Sequence, residues 1–183
     1  MACYVAFLRG INLGPTNKIA MPALREMATG LGYTGVATYI NSGNLIFDST
    51  KKAATLEREI AAAITNRFGL RIDVTVRTPA QLKKILAENP YPDGNPSQVT
   101  VAFLTKAAPA TAQEKVAAMA TEAEPFTFAG QDVYVYYANG LGTSKLAEKF
   151  SAVIGVSSTV RNINTVTKIV ASCEKRGSTS PRG

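Results

Sequence analysis

The sequence holds no histidine among its 183 residues. That removes the commonest catalytic base and the commonest transition-metal ligand. Only two cysteines are present, Cys3 and Cys173, far apart in the chain, and two cysteines without histidine cannot build a four-ligand zinc site. Histidine-dependent triads and zinc centres drop out, and no metal or cofactor is expected. Long apolar runs are missing too. Met1 to Leu8 has no basic lead-in and Arg9 cuts its apolar stretch short. It reads neither as an export signal nor as a spanning helix, which needs about 20 apolar residues. The expected compartment is therefore the cytoplasm, with no membrane partner and with both cysteines as free thiols.

What is present is an ordinary globular composition, 46% hydrophobic and 18% charged, so most of the length is expected to fold. The net charge is +7. Lys175, Arg176 and Arg182 against Glu174 place +2 of it after Cys173, leaving a modest +5 on the body. That excess is compatible with an anionic partner and does not demand one. Residues 174–183, with Gly177-Ser178-Thr179-Ser180-Pro181, read as a disordered tail.

Periodicity divides the rest into short elements. Cys3 to Ile11 is apolar on both faces and reads as a central strand. Pro22 suits a first helical turn, with Leu24, Met27, Ala28 and Leu31 on one stripe. Val36 to Asn41 and Leu45 to Asp48 read as strands turning at Ser42-Gly43-Asn44. Ser49 or Thr50 is the expected cap of a helix carrying Leu56, Ile60, Ile64 and Phe68 on one side. Ile72 to Thr78 reads as a strand, and Thr78-Pro79-Ala80-Gln81 as a capping box opening a helix. Asn89 to Pro96, rich in proline and turn residues, is the expected linker. The second half repeats the order: a strand over Val99 to Thr105, a helix from the box Thr111-Ala112-Gln113-Glu114, strands over Phe126 to Phe128 and Asp132 to Tyr137, a helix over Ser144 to Ile154, a strand over Ser157 to Arg161 and a helix over Ile163 to Cys173.

The expected fold is therefore α+β: two tandem ferredoxin-like β-α-β-β-α-β subdomains related by duplication, each followed by an extra helix. The expected boundaries are 1–96, 97–173 and the tail 174–183. Sequence matches support the repeat. Val5-Ala6-Phe7-Leu8 recurs as Val101-Ala102-Phe103-Leu104, Thr75-Val76-Arg77 as Thr159-Val160-Arg161, and Lys84-Ile85 as Lys168-Ile169. Phe7 and Phe103 are expected to be buried. The first pair of matches lies 70 residues apart in one half (5 to 75) and 58 in the other (101 to 159). Aligned on Gly43 and Gly130, nine of the 12 extra residues precede the hairpin. Extra loop length is where function tends to sit.

Four polar segments contain none of the 13 acidic residues: Arg9 to Lys18, Ser42-Gly43-Asn44, Gly140 to Lys145, and Arg161 to Asn164. They carry Arg9, Lys18, Lys145 and Arg161 beside the amide and hydroxyl donors Asn12, Asn17, Ser42, Asn44, Ser144 and Asn162. Such a set suits a phosphate or carboxylate and suits proton abstraction poorly. Each also has a structural explanation. Gly140 to Lys145 misses the P-loop spacing, and Thr143 is the expected helix cap there. Asn162 aligns with Thr78 as another cap, and Ser42 to Asn44 serves as a hairpin turn. Tyr134, Tyr136 and Tyr137 can stack bases on a sheet or pack in a core; no RNP1 pattern accompanies them, which favours packing.

Arg9-Gly10-Ile11-Asn12 followed by Asn17-Lys18, Met21 and Leu24, then Ser42-Gly43-Asn44, Ser144-Lys145-Leu146, and Thr159-Val160-Arg161-Asn162 with Thr165, resembles the bacterial domain-of-unknown-function family 1697. The resemblance runs from about Tyr4 to Ala171. It implies two α+β subdomains of related topology and supplies no reaction. Two positions depart from the family pattern: Pro15 replaces a second glycine and removes a backbone donor, and Ile163 stands where the family usually has tryptophan. The expected function is binding of a small anionic ligand, a nucleotide or phosphorylated metabolite, in a basic cleft formed by Arg9 to Lys18 and the second-half segments. RNA binding on an open sheet face is the second choice. No nucleophile–base pair points to an enzyme, and neither ligand identity nor oligomeric state is readable.

Overall fold

The computed structural model describes residues 1–178. Eight strands and six helices, with one short 3₁₀ turn, follow the order β1 (Ala2–Leu8), α1 (Met21–Gly30), β2 (Thr34–Tyr39), β3 (Asn44–Ser49), α2 (Ala53–Phe68), β4 (Val74–Arg77), α3 (Pro79–Ala87), β5 (Val99–Leu104), α4 (Ala112–Met119), β6 (Phe126–Ala129), β7 (Asp132–Tyr136), α5 (Lys145–Ile154), β8 (Ser158–Asn162) and α6 (Ile163–Ser178). The strands form two four-stranded antiparallel sheets, ordered β2-β3-β1-β4 and β6-β7-β5-β8. The class is α+β, and no helix among the described residues is long and apolar enough to cross a membrane.

Two compact units result. One is Met1–Lys84 together with the chain from Ile169 onward; the other is Ile85–Lys168. The expected boundary at residues 96 and 97 is thus displaced. Asn89 to Pro96 is irregular as expected but lies inside the second unit. It is held there by packing: a Cβ on Gly94 would stand 2.8 Å from the Val99 side chain and 3.2 Å from the Tyr91 carbonyl oxygen. The chain instead passes between units within α3 and within α6, at Lys84–Ile85 and Lys168–Ile169. These are the two steps that the sequence repeat pairs. The expected disordered tail is also corrected. Residues 174–178 continue α6, because Lys175 and Arg176 suit a helix C-terminus and Arg176 is anchored on Asp48 at 3.0 Å. Residues 179–183 lie outside the described part.

In the first unit, α1 and α2 cover one face of the sheet. Leu24, Met27 and Ala28 of α1 and Leu56, Ile60 and Ile64 of α2 pack with Ala6, Leu8, Leu45, Phe47, Val74 and Val76. Spacings of three and four residues put each helical set on one stripe. Tyr33 stacks on Phe47 with centroids 4.5 Å apart and donates its hydroxyl to Glu59 at 2.6 Å. In the second unit, Val116 of α4 and Leu146, Phe150 and Ile154 of α5 pack with Ala102, Leu104, Val133 and Val135. Both α2 and α5 stop at a left-handed glycine, Gly69 and Gly155, which frees the chain to turn back toward the sheet.

The predicted caps were partly reassigned. Thr78 and Gln81 form the reciprocal box, the Gln81 amide donating to Thr78 Oγ1 at 3.2 Å and the Thr78 amide to Gln81 Oε1 at 2.8 Å. α2 starts after Lys52 without a side-chain cap, and Ser49 Oγ accepts from the Lys51 amide instead. Thr111 precedes α4 in a helical conformation and makes no side-chain capping bond.

The central strands decide the register. Val5 lies opposite Arg77 and Phe7 opposite Thr75; Val101 lies opposite Arg161 and Phe103 opposite Thr159. Phe7 also faces Asn44, and Phe103 faces Asp132. Hence 37 positions separate Phe7 from Asn44 and 29 separate Phe103 from Asp132, so eight of the 12 extra residues precede the hairpin. The sequence alignment gave nine because it paired Gly43 with Gly130. By the ladder Gly43 matches Gln131: the Leu8 amide donates to the Gly43 carbonyl and the Leu104 amide to that of Gln131, each at 2.9 Å. Phe7 and Phe103 are fully buried. Phe7→Ala is expected to lower stability by about 3–5 kcal/mol, as for a large-to-small change in a packed core; urea unfolding measures it, and a loss below about 1 kcal/mol would contradict the burial.

Candidate functional site

In the first unit the long polar loop is organised by one side chain. Asn12 Oδ1 accepts from the Ile19 amide at 3.0 Å, while Nδ2 donates to the Ile19 and Asn41 carbonyls, each at 2.9 Å. A carboxamide carries a donor and an acceptor side by side, so it pairs with Ile19 as a strand neighbour would. Asn12 and Asn17 both sit at positive φ, 56° and 52°, a conformation asparagine tolerates better than most residues. The Asn12 amide donates to the Asn17 carbonyl at 3.1 Å, closing the loop. Ile11 and Ile19 pin it to the core while Leu13 is 81% exposed. Asn41 brings the next turn alongside. There Asn44, fully buried, donates to the Tyr39 carbonyl and to Ser42 Oγ, each at 3.1 Å. Gly43 is required: φ is 76°, and a Cβ would meet Ile11 and Leu8 at 2.7–2.8 Å.

These residues do come together, but as a folded scaffold. Arg9 is matched by an acid the loop itself lacks, Asp73, at 3.2 Å across 64 residues. Asp73 is brought there because its carbonyl also accepts from the Arg9 amide at 3.0 Å. Lys18 and Asn17 remain exposed.

In the second unit Ser144, not Thr143, caps α5; its Oγ accepts from the Ala147 amide at 3.0 Å. Thr143 belongs to the preceding 3₁₀ turn, Leu141–Thr143, one residue too early. The segment opens onto a cavity of about 320 Å³ lined by Met119, Thr121, Glu124, Tyr137, Asn139, Gly140, Thr143, Ser144 and Lys145. That volume is at the small end of ligand pockets. Lys145 is exposed at the first position of α5 and has no ion-pair partner among the described residues. Glu124 is the residue that sequence reading missed. Burial pushes its carboxyl pKa up, but hydrogen bonds from Ser144 and from the Thr121 amide and hydroxyl outweigh that and hold it below the usual range. It therefore stays ionised at neutral pH, and the cavity pairs a cation with a carboxylate. A signal was available: Thr121-x-x-Glu124 has capping-box spacing, and the Thr121 amide donates to Glu124 Oε2 at 2.9 Å.

Arg161 and Asn162 do not line this cavity. Arg161 donates to the Val160 carbonyl at 2.9 Å, and burial pushes its pKa down to about 10. Asn162 is a helix cap, accepting from the Thr165 amide at 2.8 Å. The tyrosines are engaged in packing. Tyr134 is buried, donates to the Ile85 carbonyl at 2.9 Å and has its pKa pushed up to about 12 by burial and by the charges of Asp132 and Glu88. Tyr137 is buried and Tyr136 sits against the Tyr91 ring. All six residues of β5 are buried.

The family model described as "Protein of unknown function (DUF1697)" matches residues 1–134. Among solved structures, the chain is similar to the conserved bacterial protein SP0830 from Streptococcus pneumoniae, with a TM-score of 0.71 and 22% identity over 92% of this chain and 97% of that one. At that identity the likeness speaks for the fold. No curated protein matches the chain.

The organising role of Asn12 is testable. Asn12→Ala removes its side-chain bonds and puts an unfavourable residue at positive φ, and is expected to cost about 2–4 kcal/mol. Asn12→Gly relieves the φ but not the lost bonds, and should fall between the two in thermal unfolding. Equal melting temperatures for all three chains would refute the role.

Proposed function

The chain belongs to the DUF1697 family, proteins of unknown function, and on that premise we propose that it binds a small anionic ligand, a nucleotide or phosphorylated metabolite, at the second-unit cavity beside Lys145. The observation that carries this reading is that Lys145 and an ionised Glu124 line one cavity of about 320 Å³. An ammonium at the first turn of a helix attracts a phosphate or carboxylate. A carboxylate repels the same group and accepts hydrogen bonds from hydroxyls or amines. Together they favour a ligand that is anionic at one end and donor-bearing at the other, as a ribose or sugar phosphate is. Asn139, Thr143 and Ser144 add neutral polar groups. Relative to the sequence expectation, the emphasis moves from Arg9, which Asp73 neutralises, to Lys145.

Two coarser inferences accompany it. The common strand order and matched register support descent of both units from one ferredoxin-like ancestor by duplication. Two free cysteines support residence in the cytoplasm, where thiols stay reduced.

The test is a thermal-shift and calorimetric screen of nucleotides, sugar phosphates and inorganic phosphate. Lys145→Ala is expected to weaken binding of every anionic ligand about tenfold or more, one charged hydrogen bond's worth. Glu124→Gln should weaken hydroxyl-bearing ligands while leaving inorganic phosphate unchanged or improved. If no anion stabilises the wild-type protein at millimolar concentration, the reading is wrong.

A further inference from the structure

Away from that cavity, the first unit brings the chain's two cysteines together. Cys3 lies on β1 opposite Asp48 of β3, and Cys173 comes from α6. The turn of α6 that carries Cys173 and Arg176 lies against Cys3, so the two thiols are close enough to interact although 170 residues separate them. Arg176, one helical turn beyond Cys173, donates to the Cys3 sulfur at 3.9 Å through one guanidinium nitrogen and to Asp48 Oδ2 at 3.0 Å through another. Gly35 makes room for it: φ is 54°, and a Cβ there would collide with the guanidinium and stand 2.6 Å from Asp48 Oδ2. Cys3 is half-buried and reachable, whereas Cys173 is buried.

We propose that Cys3 and Cys173 are a thiol–disulfide exchange site at which a low-molecular-weight disulfide oxidises the pair to an intramolecular bridge tying α6 to β1. The two cysteines differ in the way such a pair requires. The neighbouring Cys173 thiol, then the charge of Arg176, lower the Cys3 pKa against the opposing effects of burial and Asp48. The Cys173 thiol is raised, first by the neighbouring Cys3 sulfur and then by burial. Cys3 is thus the attacking thiolate and Cys173 the resolving thiol. Cys3 sulfur attacks one sulfur of the external disulfide; the S–S bond breaks, and the departing thiolate takes the proton that Cys3 gave up. Cys173 sulfur then attacks the Cys3 sulfur of the mixed disulfide, expelling the second external thiolate, which takes the Cys173 proton. Two protein thiols are oxidised and one external disulfide is reduced to two thiols.

The full-length reduced protein, incubated with glutathione disulfide, tests this. Both thiols are expected to disappear together, with the mass falling by the two thiol hydrogens. Digestion without reductant should link the Cys3 and Cys173 peptides within one chain, and dithiothreitol should restore both thiols. Cys173→Ser should stop at a glutathione adduct on Cys3, and Cys3→Ser should stay unmodified. Arg176→Gln should slow the first step by about threefold or more, because it removes the cation beside the attacking sulfur. The oxidised protein should melt several degrees higher than the reduced one and Cys3→Ser should show no such rise, since the bridge restricts the unfolded chain. A stable wild-type adduct on Cys3 with Cys173 still free, a disulfide between chains, no reaction, or an oxidised form that melts no higher would each overturn the proposal.

Discussion

The hydrogen-bonded central strand of each sheet is apolar on both faces, and this placement constrains everything around it. Val99 to Leu104 are buried at every position, as are Val5 to Leu8. Such a strand can lie only between two partners, because an unpaired buried backbone group costs too much. β1 therefore sits between β3 and β4, and β5 between β7 and β8. Polar chemistry is pushed outward, to the loop after β1, to the hairpin turns and to the first turn of α5. With apolar residues on both faces, simple alternation loses its power to choose register. Close contacts take over that role, such as Gly43 against Leu8 and Ile11.

The polar residues that stand out in the sequence divide into two kinds once folded. Asn12, Asn44, Ser144 and Asn162 spend their hydrogen-bonding capacity on the backbone, holding a loop, a hairpin and two helix starts. The exposed cations Lys18 and Lys145 carry no such duty. The difference follows from chemistry. Short amides and hydroxyls reach neighbouring backbone groups, whereas a lysine ammonium on its long stem stays in water unless an acid is brought to it. Ser144 does both jobs, accepting from Ala147 and lining the cavity beside Glu124, whose carboxyl it helps to keep ionised.

Much of the architecture was legible. Hydrophobic spacing, turn residues and capping boxes together placed the eight strands and six helices of the described residues, and the recurrence of Val-Ala-Phe-Leu and Thr-Val-Arg marked equivalent positions of the two sheets. The misses were at the ends and boundaries. Thr143 and Ser144 are both good caps, and only the 3₁₀ turn before α5 selects the second. Proline and glycine mark Asn89 to Pro96 as irregular chain, yet irregular chain can be packed, as Gly94 is.

By itself, the sequence determined the α+β class, the order of elements, the apolar stripes and the absence of histidine chemistry, since these depend on residue type and on neighbours three or four positions away. Only the tertiary structure decided which charges meet. Arg9 faces Asp73, Glu124 faces Ser144, and Arg176 faces both Asp48 and Cys3. Nearly all of these partners lie tens of residues apart and are joined by strand register and helix docking. No local pattern encodes those distances, so an acid-free stretch of sequence meets its acid from elsewhere in the fold.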